Sequence, residues 1–559
     1  MTSVSRWACA ASALAVAAAC SQAEAVTWVN TATQAIPLIQ AAKIGPVAGN
    51  TPMRISVALA MQNAAALKSL VQAQNTPGSA QYGTVITPAQ FNAAYAPSAA
   101  TVSQVEAYLQ QLGLKITSVE PNNLFISARG SAQNVMRAFN TKLAWFSQNG
   151  TNVFVNTAPA QVPSSLNGVV LSVLGLNDVQ ATTHPIQVTP CTISTPQCIR
   201  LEYDPSTYWQ AYDVGAVPAA AKATIAVMAE GNVSGVINDL RQFETLESLP
   251  QVPVRVVQVG LWSPDTSGSD EWDLDTQYTT GMAGTVRNLI IYATTSLTDQ
   301  DTALEFNRWA TMDLAKAANA SFSICEFFPF LDGSMVADDQ VFLEAAAQGQ
   351  TLFSSTGDTG SFCSVGTPNG VPAGAPFVGY PATSPYVVGV GGTSLLTNTD
   401  GSYSGEIAWY AGGGGISQFE YSPYWQSGIV PSSENNSKGI PDISMDADPN
   451  TGAIIIVNGQ QEVVGGTSLS SPLAVGSWAR LESNYANKLG FAAPRLYKGY
   501  PAFGSVSGAP SGLTESEDGF NDILTGADGL YTALPAYDYT TGMGTFDVSA
   551  KNSAVAPSP

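Results

Sequence analysis

The sequence predicts an α/β protein with a mostly parallel sheet covered by helices on both faces, preceded by a small α+β unit. After about residue 200, short β-branched segments recur, among them TIAVMAE (224–230), NLIIYAT (288–294) and AIIIVNG (453–459). Such runs are typical of buried strands. Amphipathic segments such as DTALEFNRWATMDLAKAAN (301–319) lie between several of them, and this alternation indicates a parallel sheet. In such sheets, ligands bind at the carboxyl ends of the strands.

Residues 26 to about 177 form the predicted small unit. MRISVALA (53–60) alternates like a strand, AATVSQVEAYLQQLG (99–113) has helical periodicity, and KITSVE and NLFISARG predict two paired strands. A second helix and two further strands follow. The run from 178 to 199 lacks periodicity and contains His184, the only histidine of the chain. We interpret this run as a linker that is open to proteolysis.

The charge balance excludes some partners. Asp and Glu outnumber Lys and Arg by 42 to 21 in the 559 residues, which gives a net charge of −21. A surface this acidic disfavours nucleic acids and anionic membranes. Charged residues make up only 11% of the chain, so acid can break few ion pairs and create little positive self-repulsion. This composition suits an acidic environment, although an ordinary secreted surface would look the same.

The N-terminus predicts export. Arg6, the apolar stretch ALAVAAA and the Ala23-Glu24-Ala25 triplet match the three parts of a signal peptide over residues 1–25. AAAC, ending at Cys20, is a weaker match to a lipidation site. No other apolar run reaches the roughly 20 residues of a membrane helix. We therefore expect a secreted or periplasmic protein without a stable membrane span.

Four cysteines remain after the signal peptide: Cys191, Cys198, Cys325 and Cys363. An even number in an exported chain suggests two bridges, Cys191–Cys198 and Cys325–Cys363. Four cysteines nevertheless allow three pairings, so the connectivity stays open at this point.

VVGGTSLSSPLAVG (463–476) displays a serine, Ser468, on a small Gly-rich turn that leads into a helix-like segment. A serine hydroxyl needs a base to become a nucleophile, usually histidine. No histidine follows His184, so the base would have to be a carboxylate, a lysine or a tyrosine. The turn is not the G-x-S-x-G elbow of esterases. Alternatively, Ser468 is only the N-cap of the helix.

Two acidic segments could supply the base. In SGSDEWDLDTQY, Ser267 to Asp270 supply N-cap chemistry for a helix. Glu271 and Asp275 then lie at i and i+4 on one face, close enough to hydrogen-bond. The alternative is an acidic first turn that complements the helix dipole. In SSTGDTG (354–360), Asp358 follows a predicted buried strand, although Gly-Asp turns are also common loop elements.

These motifs, in this order, resemble the sedolisins, or serine-carboxyl peptidases. The resemblance is carried by Glu271, Leu274 and Asp275 in E-x-x-L-D form, Asp358 in SSTGDTG, and Ser468 in GGTSLSSP. Connecting stretches match as well: FVGYPATSPYVVGVGGTSL, GIPDISMDADPNTG and YTTGMGTFD. The resemblance covers nearly the whole chain.

The resemblance implies a subtilisin-like α/β fold for the catalytic domain at 200–559. It also implies a ferredoxin-like inhibitory prodomain at 26–177, with the maturation site in the linker at 178–199. The expected activity is endo- or tripeptidyl-peptidase action at acid pH, about 3–5, near unperturbed carboxyl pKa values. The expected partners are protein or peptide substrates and the chain's own prodomain, and we expect a monomer.

Site roles carry over from the family residue by residue. Ser468 is the nucleophile, Glu271 is the general base and later the acid, and Asp275 orients Glu271. Asp358, protonated, donates a hydrogen bond to the oxyanion beside the Ser468 N–H. A protonated carboxyl can do this because it is a neutral donor, like an amide. Clustered carboxylates push their pKa values apart, so some of them hold protons.

The resemblance also implies one structural Ca²⁺ near the C-terminus. The ligands carried over are the carboxylates of Asp522 and Asp538 and the carbonyls of Ile523, Leu534 and Ala536. Relatives usually have glycine at the last two carbonyl positions. Carboxylates and carbonyls suit a hard cation that takes 6–8 oxygens. The alternative is an acidic loop without a ligand.

One further candidate residue, one departure from the family pattern and two alternative functions remain to be named. Glu230 in AVMAEGN is a candidate for an upstream glutamate that extends the network in relatives. SICEFF (323–328) stands where relatives often carry SWG or SYG. A histidine-dependent hydrolase such as an esterase is disfavoured by the absence of histidine after His184. A non-catalytic secreted binding protein on a peptidase-like scaffold is the other alternative.

Overall fold

The computed structural model describes most of the chain in seven ranges: 26–37, 42–148, 151–183, 186–187, 201–362, 376–502 and 519–556. The predicted signal peptide, His184 and Cys191, Cys198 and Cys363 lie outside the described residues, so the export signal and the cysteine pairings stay predictions. Cys325 is buried. In these ranges, the structure contains no helix with the length and apolar character needed to cross a membrane.

The N-terminal unit is α+β, as predicted. Its strands are β1 (Trp28–Asn30), β2 (Ala42–Pro46), β3 (Pro52–Leu59), β4 (Lys115–Val119), β5 (Phe125–Ser131), β6 (Leu143–Gln148), β7 (Thr151–Asn156), β8 (Gln161–Pro163) and β9 (Val170–Leu174). Its helices are α1 (Ala64–Asn75), α2 (Pro88–Ala94), α3 (Ala99–Gln111) and α4 (Ala132–Ala138). Four antiparallel strands in the order β4-β5-β3-β9 share an apolar core with α3 and α4. This is the ferredoxin-like arrangement that the sequence predicts.

The larger unit follows residue 186. Its strands are β10 (Ile186–Gln187), β11 (Thr224–Glu230), β12 (Val254–Gln258), β13 (Asn288–Thr294), β14 (Ala317–Ala320), β15 (Ile324–Cys325), β16 (Thr351–Ser355), β17 (Gly379–Tyr380), β18 (Val387–Thr397), β19 (Tyr403–Ala408), β20 (Gly415–Tyr421), β21 (Ser437–Ile440), β22 (Ile443–Asp446), β23 (Ala453–Val457), β24 (Gln460–Gly465), β25 (Phe520–Asn521) and β26 (Thr545–Phe546). Its helices are α5 (Pro205–Ala211), α6 (Ser234–Leu246), α7 (Ser269–Ala283), α8 (Asp299–Met312), α9 (Phe327–Asp332), α10 (Ser334–Ala347), α11 (Thr467–Asn484), α12 (Ala493–Tyr497) and α13 (Val548–Ala554).

Seven strands of the central sheet are parallel, in the order β12-β13-β11-β14-β16-β18-β22. Helices α7 and α11 pack against each other on one face, and α8 and α10 pack against each other on the other. The α/β prediction, with a mostly parallel sheet covered on both sides, is confirmed. As expected for such sheets, the polar residues considered below gather at the carboxyl ends of the strands.

Two sequence-based expectations about this sheet were wrong. AIIIVNG does not join it: β23 pairs antiparallel with β24 across a tight turn at Asn458 and Gly459, which have φ of 50° and 72°. Two consecutive residues in the left-handed region favour a hairpin. The helix expected over 301–319 ends at Met312, and Asp313 terminates it with φ of 44°. The alanine-rich end of that segment forms strand β14, because burial between β11 and β16 overrides the helix propensity of alanine.

The N-terminal unit docks on α8 and α10 through its sheet. Arg54 on β3 forms an ion pair with Asp301 at 3.2 Å, and Glu120 forms one with Arg308, also at 3.2 Å. Asp301 and Glu120 are buried, whereas the two arginine side chains are partly exposed. The contact between the two units therefore includes ion pairs in which each unit supplies one carboxylate.

Candidate active site

Ser468 lies on the second residue of α11, which begins at Thr467. The N-cap is Gly466, so the interpretation of Ser468 as a helix cap is not supported. Gly466 has φ of 107°, and a Cβ there would lie 2.7 Å from Oδ2 of Asp358. Glycine is therefore needed both for the backbone conformation and for the close approach of Asp358. The turn places Ser468 at the N-terminus of a helix, 3% exposed, beside an acidic group.

Glu271 and Asp275 lie on α7, which packs against α11, and both are fully buried. The helix begins at Ser269 with Gly268 as N-cap, and no side chain caps it, contrary to the expectation for Ser267 to Asp270. The expected hydrogen bond between the two carboxyls is also absent. Asp275 Oδ1 instead accepts a hydrogen bond from Ser321 Oγ at 2.6 Å. Neither oxygen of Glu271 receives a well-formed hydrogen bond from the described residues.

The electrostatics of this pair follow from its burial. Loss of solvation raises the pKa of Glu271 well above its ordinary value, and the negative charge of Asp275 raises it further, while the nearby Ser468 hydroxyl lowers it. Burial likewise raises the pKa of Asp275, against the lowering effect of hydrogen bonds from Ser321 and Asn319. Two buried carboxyls one helical turn apart cannot both ionise easily. The pair is therefore suited to holding one proton and one charge.

Asp358 follows β16 and contacts the residue before Ser468. The N–H and the hydroxyl of Thr467 both donate to Asp358 Oδ1, at 2.8 and 2.7 Å. Burial raises the pKa of Asp358 to about 6, although these two hydrogen bonds lower it. Because Oδ1 is the acceptor, Oδ2 beside Gly466 is the oxygen free to carry a proton. Below about pH 6 this carboxyl is a neutral donor at the N-terminus of α11.

A cavity of about 170 Å³ opens beside Ser468 and Asp358. Two residues from the start of the predicted linker, Gln180 and Thr182, line this cavity together with Ser468. The backbone of Thr182 pairs with Ser323 through hydrogen bonds of 3.1 and 3.3 Å. The start of the predicted linker thus runs along the cleft like an added strand.

The linker also pairs with the catalytic unit after residues 184–185. Ile186 and Gln187 form β10, which pairs antiparallel with Gly465 and Val464 of β24. Gly465 lies three residues before Ser468. The backbone is therefore paired with the catalytic unit both before and after residues 184–185, which lie outside the described residues.

Two polar residues of the site were missed by the sequence-based analysis. Asn319 and Ser321 stand at the carboxyl end of β14 and connect to Asp275. Strand β14 has the sequence AANA, which favours a helix, so no periodicity signal could place Asn319 in it or Ser321 directly after it. Glu230 was a candidate for the network, but the charges that raise its pKa to about 7 are those of Asp265 and Asp301, after the larger effect of burial.

The predicted calcium loop brings its two carboxylates together. Asp538 Oδ2 accepts from the Leu534 N–H at 2.9 Å, and Asp522 Oδ2 accepts from the Ala536 N–H at 3.0 Å. Ala536 has φ of 64°, a backbone conformation that suits the glycine of relatives. In the described part of the chain, no three His, Cys, Asp or Glu side chains gather as metal ligands, so a cation here would depend on two carboxylates and on carbonyls. One buried carboxylate, that of Asp538, and one half-buried carboxylate, that of Asp522, fit a hard cation in chemical type.

Comparisons with known proteins agree with this geometry. Residues 40–179 match the family of the pro-kumamolisin activation domain. The chain is 39% identical over 544 residues to sedolisin from Pseudomonas sp. (strain 101), covering 94% of this chain and 89% of the relative. It is 34% identical over 571 residues to xanthomonalisin from Xanthomonas sp. (strain T-22), covering 92% and 67%. The structure of Pseudomonas sedolisin, a serine-carboxyl proteinase complexed with two molecules of pseudo-iodotyrostatin, superposes with a TM-score of 0.58 at 34% identity, covering 64% of this chain and 98% of that one.

Proposed function

Because this chain belongs to the sedolisin family of serine-carboxyl peptidases, we propose that it is an exported, acid-acting endopeptidase that processes its own precursor. The chain carries the activation domain that zymogens of this family have. The observation that supports the proposal best is the position of Ser468, at a helix N-terminus with the buried carboxyl of Glu271 beside it.

In the proposed reaction, Ser468 Oγ attacks the carbonyl carbon of the scissile peptide bond and passes its proton to Glu271. The oxyanion accepts hydrogen bonds from the Ser468 N–H and from neutral Asp358. Glu271 then donates the proton to the leaving amine as the C–N bond breaks, leaving an acyl-enzyme on Ser468. Water repeats the sequence and releases the acid. Asp275, one helical turn away, acts on Glu271 through its charge, and the two carboxyls share one proton.

The pKa of Asp358 supports the proposal that this reaction takes place in acid. Asp358 must be neutral to donate, and its pKa of about 6 means that activity should fall as the pH rises through that value. The pair of Glu271 and Asp275 must lose one proton, which sets the limb that rises from low pH. The rate should therefore be bell-shaped in pH, although coupled groups share macroscopic pKa values. Asp358→Asn keeps a neutral donor, so we expect its falling limb to move to higher pH.

The path of the linker favours endopeptidase over tripeptidyl-peptidase action. Ala181 donates its N–H to Leu297 O at 2.9 Å, and Gln180 pairs with Thr298. Val179, further from Ser468, is buried beside Ile324. An enzyme that removes tripeptides must close its cleft beyond the third residue. Here residues 179–182 run beside the cavity on the amino side of residues 184–185, and Gln180 and Thr182 line it, so the binding region is not closed after three residues.

We also propose that one calcium ion is bound by Asp522, Asp538 and the carbonyls of Ile523, Leu534 and Ala536. When bound, the ion supplies structural crosslinking of the C-terminal loop. The two carboxylates would otherwise repel each other, and this repulsion contributes to the raised pKa of Asp522, about 6, after burial. The chain's own contribution is to hold these carboxylates together through the N–H groups of Leu534 and Ala536.

Acidification of the purified precursor tests the proposed function. We expect wild-type precursor to shorten at acid pH and then to hydrolyse an internally quenched peptide. The new N-terminus, read by sequencing, should lie between Thr182 and Ile186, because these residues pair on opposite sides of Ser468. Ser468→Ala precursor should stay full length. Equally rapid shortening of the Ser468→Ala protein, free of other peptidases, would rule out self-processing.

A further inference from the structure

A chain of four buried polar side chains connects the helix of the nucleophile to Asp275. Ser471, one turn after Ser468 on α11, donates from Oγ to Asn319 Oδ1 at 2.5 Å. Asn319 Nδ2 donates to Ser321 Oγ at 2.9 Å, and Ser321 Oγ donates to Asp275 Oδ1 at 2.6 Å. All four residues are at most 1% exposed. We call these three consecutive hydrogen bonds the relay.

The chemistry of Asn319 gives the relay a direction. An amide oxygen can only accept a hydrogen bond, and an amide nitrogen can only donate one. The amide oxygen of Asn319 is occupied by the Ser471 hydroxyl, so its nitrogen faces Ser321. The single hydroxyl proton of Ser321 is then directed at Asp275. Every hydrogen in the relay therefore points towards Oδ1 of Asp275.

We propose that Asn319 and Ser321 are positioning residues that keep Asp275 Oδ1 an acceptor and confine the proton of the carboxyl pair to Asp275 Oδ2 and Glu271. This proposal depends on the catalytic roles proposed above for Ser468 and Glu271. Asp275 Oδ2 and both oxygens of Glu271 are buried and receive no well-formed hydrogen bond within the described ranges. These three oxygens are the positions left for the proton.

The relay should tune the pH at which the pair becomes active. A hydroxyl that donates to a carboxylate stabilises its charged form, so Ser321 favours loss of the first proton from the pair. Besides Asp275, the titratable groups whose charges raise the pKa of Glu271 are Asp358 and Asp270. Apart from Glu271, the side chains that affect the pKa of Asp275 are those of Ser321 and Asn319, which are uncharged and act through hydrogen bonds. Removal of the Ser321 hydroxyl therefore acts on the pair without removing a charge, and the only other hydrogen bond that it donates among the described residues is a longer one, 3.4 Å, to the Ser468 carbonyl.

The test is the pH profile of kcat/KM for an internally quenched peptide, measured on self-processed enzyme. In Ser321→Ala, we expect the rising limb to move up by about one pH unit, because one hydrogen bond to a charged group is lost. Ser321→Thr keeps the hydroxyl and should restore the wild-type limb. Ser471→Ala removes the far end of the relay and should give a smaller shift in the same direction.

Ser470→Ala is the matched control. Its hydroxyl is equally buried on the same helix, but it donates to the Thr467 carbonyl at 2.9 Å and takes no part in the relay. Ser470→Ala should leave the rising limb where it is in the wild type, whatever it does to the melting temperature. A purely structural role for Ser321 would lower the rate or the stability without moving the limb.

The outcomes separate this proposal from the proposed function. If Ser468→Ala and Glu271→Gln are inactive but the limb of folded Ser321→Ala coincides with that of Ser470→Ala, the relay proposal is wrong and the function stands. If Glu271→Gln keeps normal turnover, the function itself is wrong. Should Ser321→Ala fail to fold, the same comparison between Ser471→Ala and Ser470→Ala decides, and an unmoved limb in Ser471→Ala overturns the proposal.

Discussion

The prodomain and the catalytic region carry opposite charge. Residues 26–177 contain seven Lys and Arg and two Glu, whereas residues 178–559 contain 13 Lys and Arg and 39 Asp and Glu. At neutral pH the two regions attract each other. In acid the carboxylates lose their charge, while Lys and Arg keep theirs. Acidification therefore weakens the contact by changing the catalytic region and leaves the charge of the prodomain nearly intact.

The catalytic region also buries carboxyls that hold their protons tightly. Burial raises the pKa of Asp273 to about 9 and that of Glu344 to about 8. It raises the pKa of Glu482 and of Glu326 to about 7. These groups are neutral in acid, where they cost little to bury, and become charged towards neutral pH. Burial of these carboxyls therefore costs less free energy in acid, the condition in which the charge attraction to the prodomain is expected to be weakest.

The largest effect should come from Glu271→Gln, which keeps the shape of the side chain and removes the base. We expect turnover to fall by about a thousandfold or more, with the melting temperature close to that of the wild type. Asp270→Asn is the matched control, since it removes a charge from the same helical turn. It should change turnover only severalfold. Near-normal turnover in Glu271→Gln would support the view that these acids only complement the helix dipole.

The second prediction concerns stability and pH in the Ser468→Ala precursor. The pKa of Glu344 rises from 4.5 to about 8 on folding. Its contribution to the free energy of unfolding is therefore complete below about pH 4.5 and is lost as the pH rises to 8. Together with its buried counterparts, this should lower the melting temperature by about 10 °C between pH 4 and 8. Glu344→Gln should flatten the decline, whereas Glu434→Gln, at an exposed site, should not. A melting temperature that rises with pH would contradict this account.

Calcium should give a smaller shift. Ligand at 100 times its Kd adds about 2.7 kcal/mol to the free energy of unfolding, which corresponds to roughly 2–4 °C for a chain of this size. We expect chelation to lower the melting temperature of Ser468→Ala precursor near neutral pH, and to have no effect when Asp538→Asn is added. Asp528→Asn changes a neighbouring buried carboxyl outside the predicted ligand set and should keep the calcium response. If chelation does not change the melting temperature of the Ser468→Ala precursor, the proposed calcium site is wrong.

The smallest effect should come from removing one ion pair between the prodomain and the catalytic region. Glu120→Gln removes the ion pair with Arg308, and such pairs contribute about 1 kcal/mol or less. Self-processing should be accelerated severalfold near neutral pH, because the variant lacks this ion pair between the prodomain and the catalytic region. Glu106→Gln changes the other prodomain carboxylate, for which no ion pair is recorded in the described residues, and should leave the rate unaltered. Processing kinetics followed by gel electrophoresis measure both variants.

The sequence predicted the two units and the four carried-over site residues because these depend on periodicity and on local motifs. It missed β14, since a strand of alanine and asparagine has no β-branched signal, and with it Asn319 and Ser321. Asp275 Oδ1 takes its hydrogen bond from Ser321, 46 residues away in the chain, and not from Glu271 on the same helix. Such a long-range contact leaves no trace in local spacing. The catalytic roles themselves stay predictions.

The same limit applies to the linker. Its lack of periodicity suggested an exposed segment, and Gln180 and Thr182 are exposed, yet the backbone of Thr182 also pairs with Ser323, 141 residues further on. A single strand acquires its partner only in the folded protein, so no sequence window could show that the segment lies in the cleft. The predicted boundaries at 177 and 199 likewise stay predictions.

The pairing of the linker on both sides of Ser468 has a kinetic consequence. A substrate that is already tethered and aligned does not have to be captured from solution, so its cleavage is a unimolecular event with a high effective molarity. The half-time of maturation should then be the same in dilute and concentrated precursor. A cell exporting single molecules into an acidic medium would need no accumulation of enzyme to start the process: each molecule would time its own activation.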